Sequence, residues 1–555
     1  MSDPQPATLH DIETGTGPSS DTKNTNSVYS ALVVHEEKEY PGSGTLEDPY
    51  VVDWKKADPE NPFNWSKRRK WVITSHLAYA TWVASFCSSS YSAGLTYTAM
   101  DLHLTTEVAI LGVSLYILGF TVGPLFWAPM SESELDDQAF QLIRKFANGE
   151  SICKRNIFIG TFTAFTLLHL GGSLCKNTAT LLATRMLAGM FGVSPFTNSS
   201  AAMSDMWIPR ERGFPGSLYA CAIFLGPVIG PVIGGWVAMS YLGWRFNFWI
   251  MFILSGVTTI GFVVIEPETY APVLLRRRAE RLRRGSGNNA VYISKYDVGH
   301  SRKRIDIFRK NMVRPFVFLA TEPIVLLLAI YGSIAYAILY AFFAAFPIVF
   351  QEQRGWSSGL GGLAFIGVGV GTTLGLCLTP IQNRMYQAAA ARSPTGRAAP
   401  EQRLYAPMFG AICLPIGMFW FAWTSSPHIF WLSPILAGVP FGIGVALVLF
   451  GATQYLVDGY QIYAASALAA TVVLRSVVAA VFPLIIPTMY KNLGDGWACS
   501  VFAFLVTACM PIPFLFYKYG PWLRKHSKWA VQDATAPSMS VVPPPGTSAK
   551  EKSSN

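Results

Sequence analysis

Apolar residues in this chain fall into twelve blocks of about twenty, separated by short polar or basic intervals. A hydrocarbon core about 30 Å thick takes about 20 helical residues to cross. It offers no water to a bare peptide group, so each block has to satisfy its own backbone as a helix. The blocks lie near residues 71–93, 107–130, 156–175, 179–203, 214–238 and 246–265. After a basic interval, 266–316, they resume near 322–350, 358–382, 405–425, 430–456, 462–486 and 496–518. Six passes, a linker and six more is the layout of paired repeats around a midplane site. This predicts an all-α, multi-pass membrane protein.

Charge supports that reading. Only 14% of the residues are charged, against roughly a quarter in soluble domains. The net charge of +10 is no nucleic-acid signal, because Lys and Arg sit between the apolar blocks. Even-numbered connections and the ends carry Lys67–Lys70, Arg210, Arg212, a cluster from Arg276 to Arg284, Arg403 and Lys525. Odd-numbered connections hold little beyond Lys176, Arg245, Arg354 and Lys491. The positive-inside rule places both ends and the linker in the cytosol. Residues 1–70 read as a disordered cytosolic lead-in, 266–316 as a solvated cytosolic loop that can touch anionic lipid, and 519–555 as a cytosolic tail. The polar start predicts no cleavable leader. The eight cysteines show no metal or disulfide spacing, and Asn64 and Asn198 are not expected to be glycosylated.

The most distinctive block is GSLYACAIFLGPVIGPVIGGW, 216–236. Gly226, Gly230 and Gly234 recur every four residues, with Pro227 and Pro231 between them. In a bilayer such residues let helices approach closely, so one face of this span is a packing surface. Ionisable residues inside spans are costly and mark functional candidates. Arg185 is the first, about seven residues into the fourth span. It either contacts substrate or tunes a nearby acid, or else snorkels to the interface. Arg475, in the eleventh span, is the second. Glu322 opens the seventh span, where Thr321-Glu322-Pro323 also reads as a helix cap. Asp458 suits an ion pair or coupling equally. No Asp or Glu lies in mid-span, and the coupling residue is not identified. In span seven, Tyr336, Tyr340 and Phe343 share one helical face and fit the wall of an apolar cavity. Asn198 in span four and Gln454 in span ten serve either cavity or packing.

These motifs together resemble the major facilitator superfamily, and within it the fungal twelve-spanner drug:proton antiporters. Residues 216–236 are similar to the antiporter signature, with Ser217 where the family has Gly, then Gly226, Gly230-Pro231 and Gly234-Gly235. RMLAGMFG, with Arg185, Gly189 and Gly192, resembles the span-four motif. PETYAPVLLRRRAERLRR, GWRFNFWI, TEPIVLLL and YLVDGYQIYAASALAA are similar to fungal members, and the likeness runs from about 46 to 530. The resemblance implies two six-helix bundles around a central cavity, and proton-driven export of a hydrophobic or cationic small molecule. Its energy source would be the proton gradient with no cofactor; its partners would be a small-molecule substrate, protons and lipid, with no nucleic acid. A monomer in the plasma or vacuolar membrane is expected. Uptake is the rival reading. A membrane enzyme or receptor finds no nucleotide loop, nucleophile elbow or metal cluster to support it.

One segment departs from the pattern. GPLFWAPMSE, 123–132, matches the family's turn between spans two and three. SELDDQAFQLIRKFANGESIC, 133–153, then intervenes before Lys154-Arg155, with the character of a retained intron or a genuine loop. The family's basic residues latch the cytosolic side here, so a genuine insert is expected to weaken that latch.

Overall fold

The first membrane helix starts where the sequence supplies a cap. Ser66 accepts a hydrogen bond from the Arg69 N–H at 3.4 Å, ahead of α1, Lys67–Ser89. The computed structural model describes residues 40–132, 154–208, 211–287, 290–298, 304–393 and 398–530. After α1 the chain tightens into a 3-10 turn, Ser90–Gly94, and a short helix α2, Leu95–Asp101. α3 is Thr106–Glu132, α4 Lys154–Ser173, α5 Thr178–Gly192 and α6 Ser194–Met206. α7 is Gly213–Met239, α8 Arg245–Val264, α9 Ala271–Gly285 and α10 Arg304–Thr321. The second half comprises α11, Pro323–Phe346, α12, Ser358–Leu363, α13, Ile366–Arg392, α14, Tyr405–Thr424, and α15, Leu432–Tyr460. It closes with α16, Ala464–Cys509, and α17, Pro511–His526.

Eight of the described helical segments are long and apolar enough to cross a membrane. The last of these, Ser466–His526, holds two passes, because 61 residues would span about 90 Å if straight. It doubles back at Gly494, whose φ is +72°. The Tyr490 hydroxyl then lies 2.7 Å from the Cys499 sulfur, and the Phe482 and Phe502 rings lie 5.2 Å apart. No neighbouring atom lies within 4 Å of a side chain at 494, so the requirement is purely one of backbone. Gly494→Ala is therefore expected to cost about 1 kcal/mol, a fall of about 1–2 °C in the unfolding midpoint of the detergent-purified protein. An unmoved midpoint would show that this turn tolerates an ordinary residue.

The spans expected at 71–93, 156–175 and 179–203 correspond to α1, α4 and the α5–α6 pair. They are more polar, and the fourth is broken at Val193, ahead of Pro195 at the start of α6. α1 packs on α7, α3 on α5, and α4 on α8. In the second half α11 packs on α16, and α15 lies between α13 and α14. The halves meet where α3 packs on α16 and α7 on α12 and α13.

Residues 40–58, 272–287 and 290–298 form a separate compact unit. For these residues this corrects the expectation of a disordered lead-in and a solvated loop; the start of the lead-in, 1–39, lies outside the described residues. Strand β1, Tyr50–Val52, pairs in parallel with β2, Tyr292–Ser294. Tyr40, Val52, Leu275, Ala279 and Tyr292 form the unit's small core. Basic residues read as a topological signal are used locally: Arg276 binds Asp297 at 2.6 Å, and Arg278 binds Asp58. The insert 133–153 lies outside the described residues.

Candidate functional site

The glycine face of α7 meets the serines of α1. A Cβ at Gly226 would strike the Ser85 side chain, one at Gly230 the Ser89 hydroxyl, and one at Gly234 the Ser90 carbonyl. The prolines fit the same contact. Pro227 has no N–H to offer the Ile223 carbonyl four residues back, and the Ser85 hydroxyl donates to it instead at 3.0 Å. Gly235 and Pro231 face the other half, where a Cβ at Gly235 would strike the Ser358 carbonyl and one at Gly362 the Pro231 carbonyl. Thus α7 is clamped on both sides. Ser217, standing where the family has Gly, adds a bond between the halves: its hydroxyl lies 2.8 Å from that of Thr379. Both line a cavity of about 30 Å³ with Asn383, Arg403 and Gln454, which holds about one water.

Arg185 is buried, not snorkelled. Its Nη1 donates to the Cys87 carbonyl at 2.8 Å, Nη2 to Ser88 at 3.0 Å and Nε to Gly112 at 3.1 Å. The first two are carbonyls at the C-terminal end of α1, where the helix dipole favours a cation. Tyr91 and Tyr116 lie under the guanidinium at 4.9 and 4.4 Å. Among the described residues Arg185 has no carboxylate partner, so the expected acid to be tuned is not at hand. Gly189 and Gly192 admit the Tyr116 carbonyl and the Phe165 ring, which makes the span-four motif a packing seam. Asn198 bonds within its own helix, to Ser194 at 3.3 Å.

From Arg185 a line of hydroxyls crosses to the second half. The Ser88 hydroxyl lies 2.9 Å from that of Tyr340, and the Tyr336 hydroxyl donates to Tyr340 at 3.3 Å. The Arg475 guanidinium then covers the Tyr336 ring at 4.4 Å. Phe343 continues the face, 5.1 Å from the Tyr340 ring. Tyr336, Tyr340 and Phe343 are at most 2% exposed. The expected cavity wall is therefore packed in this structure, because the seam between the halves is closed over it. Ser88 and Ser85 were not singled out from sequence, although Ser88-Ser89-Ser90 is a polar run at the end of an apolar block. What made them matter was the glycine face of α7, more than a hundred residues away.

The remaining candidates lie at helix ends. Glu322 stands at the N-cap of α11, but its side chain does not cap the helix. It is buried, and accepts hydrogen bonds from Tyr460 at 2.8 Å and Ser527 at 2.7 Å. The capping expectation fails because these hydroxyls draw the carboxylate away from the helix end. Asp458 pairs with Arg403 at 2.7 Å, the ion-pair alternative. Lys154 binds Asp205 at 2.7 Å, and the Arg155 guanidinium donates to the Val263 carbonyl at 2.8 Å. The basic pair after the insert thus holds two neighbouring helix ends. Nearby, His76 and Glu266 form a buried pair at 3.5 Å. Burial pushes the Glu266 carboxyl above its usual range, with His76 acting in the opposite direction.

Two helical halves that meet along a hydroxyl-lined seam are the arrangement expected of a transporter that opens to alternate sides. The chain matches the Major Facilitator Superfamily over residues 77–483. It is 46% identical over 492 residues to an MFS-type efflux pump, MFS2, of Trichophyton rubrum, covering 88% of this chain and 79% of that one. It is 43% identical over 494 residues to the multidrug transporter mdrA of Aspergillus fumigatus, covering 89% and 78%. Against the efflux pump FUB11 of Gibberella moniliformis the identity is 40% over 499 residues, covering 90% and 80%. The chain belongs to the Major Facilitator Superfamily and is an integral membrane transporter of small molecules.

Proposed function

We propose that this transporter exports a hydrophobic small molecule, a drug or secondary metabolite, from the cell in exchange for protons. The observation that carries the reading is the line Arg185–Ser88–Tyr340–Tyr336–Arg475, polar groups set across the seam between two apolar halves. A seam of that kind, opened to one side at a time, exposes hydrogen-bonding groups and aromatic faces to a ligand. The direction is supported by relatives named as efflux pumps. The charge distribution supports both ends lying in the cytosol, and export from the cell would place the protein in the plasma membrane. The protein acts as a monomer without cofactor or catalytic step. The buried His76–Glu266 pair, with Glu268 and Arg155 beside it, is the candidate for gaining and losing the proton.

Expression of the full chain in efflux-deficient yeast tests this. Accumulation of a panel of hydrophobic compounds is expected to fall several-fold for at least one member, and to recover when a proton uncoupler is added. Glu266→Gln is expected to reduce the uncoupler-sensitive part. Accumulation that rises on expression would establish uptake, and export indifferent to the uncoupler would remove proton coupling.

A further inference from the structure

Among the described residues, none supplies a counter-charge to Arg475. It is half-buried in α16, and its Nε is shielded from solvent without a hydrogen-bond acceptor. Among the described residues it forms neither an ion pair nor a hydrogen bond, and its guanidinium lies over the Tyr336 face. Arg185 is different, with three carbonyls at its three nitrogens. The described acidic residues of the transmembrane unit lie at helix ends or in connections. Asp101, Asp205, Glu322, Glu352 and Asp458 terminate helices or turns, and Glu266 and Glu268 lie in a connection. A guanidinium keeps its charge in a protein, and an unpaired charge among apolar helices is strongly disfavoured. An anion that enters with the transport cycle would supply the missing counter-charge.

The geometry points to an anionic ligand: we infer that Arg475 is the recognition residue for a planar aromatic carboxylate. This rests on the export reading and narrows its substrate class. The guanidinium lies over the Tyr336 ring at 4.4 Å, and the N–H groups of an arginine are the donors that receive a carboxylate in paired hydrogen bonds. The ring that Arg475 covers belongs to the hydroxyl line that runs from Tyr336 through Tyr340 to Ser88 of the other half, so it stands beside the seam between the halves. Next to it, the Tyr336, Tyr340 and Phe343 rings give aromatic faces at 4.9 and 5.1 Å spacing, suited to a flat ring system. Among the described residues, a cationic ligand would meet two arginines at this level and no carboxylate. The cationic branch of the sequence expectation is thereby disfavoured.

The test uses the full chain in lipid nanodiscs at pH 7. It is titrated with naphthalene-2-carboxylate, naphthalene-2-carboxamide and naphthalene-2-methylammonium, and binding is read by quenching of protein fluorescence. The carboxylate is expected to bind about ten-fold or more tightly than the carboxamide, and the ammonium most weakly. In Arg475→Gln the carboxylate-to-carboxamide ratio is expected to collapse to about one; in Arg475→Lys it should lie between. A wild-type ratio near one, a preference for the ammonium, no binding of any probe at millimolar concentration, or a ratio unchanged in Arg475→Gln would overturn the assignment. The wild-type comparison decides even where the glutamine variant fails to fold. Carboxylate preference without uncoupler-sensitive export in yeast would leave this assignment standing and remove the export reading; export without the preference would do the reverse.

Discussion

Arg185→Met is expected to destabilise the protein by on the order of 3–5 kcal/mol, whatever its effect on transport. The substitution removes a buried cation together with all three of its hydrogen bonds, and leaves the Cys87, Ser88 and Gly112 carbonyls without that donor. Those carbonyls belong to α1 and α3, so the loss loosens three helices at once. Arg185→Lys should fall between, because an ammonium is a point charge and cannot serve three acceptors arranged around a planar fork. Thermal unfolding of the purified protein in detergent, beside its yield in the membrane fraction, measures both. Normal unfolding with lost transport would move Arg185 from holding the fold to handling substrate or proton.

Gly230→Leu should be the second large effect, and should abolish transport. The nearest atoms to a Cβ there include the Ser90 nitrogen at 2.8 Å and the Phe86 carbonyl at 3.1 Å. Backbone cannot step aside as a flexible side chain would, so α1 and α7 must separate. Overpacking of this kind costs about 1–3 kcal/mol or more. The displacement also carries Ser88 away from Tyr340, breaking the line across the seam. Gly216→Leu is the control, since it sits on the same helix with nothing within 4 Å; it should transport as wild type does. Equal transport by both variants would show that the glycine face tolerates bulk.

Much of this architecture was readable before any coordinates. Block length set the spans, and Gly226, Gly230 and Gly234 announced a packing face because their spacing matches the helical repeat. The Tyr336–Tyr340–Phe343 face was legible for the same reason. Pairings between distant segments were not. Residues 40–58 looked too polar to fold, and gain a core only because β2 and α9 come to them from over two hundred residues away. Glu322 looked like a cap, as local sequence allowed, until Tyr460 and Ser527 offered it better donors.

By itself the sequence determined an all-helical membrane protein with a tight, bent fifth span and two intramembrane arginines. Those are consequences of length, period and polarity, all properties of single segments. Only the tertiary structure separated the two arginines. Arg185 lies where a helix end presents carbonyls, and its charge is spent on the fold. Arg475 lies where the packing brings an aromatic face and no acceptor, and its charge is left for a ligand.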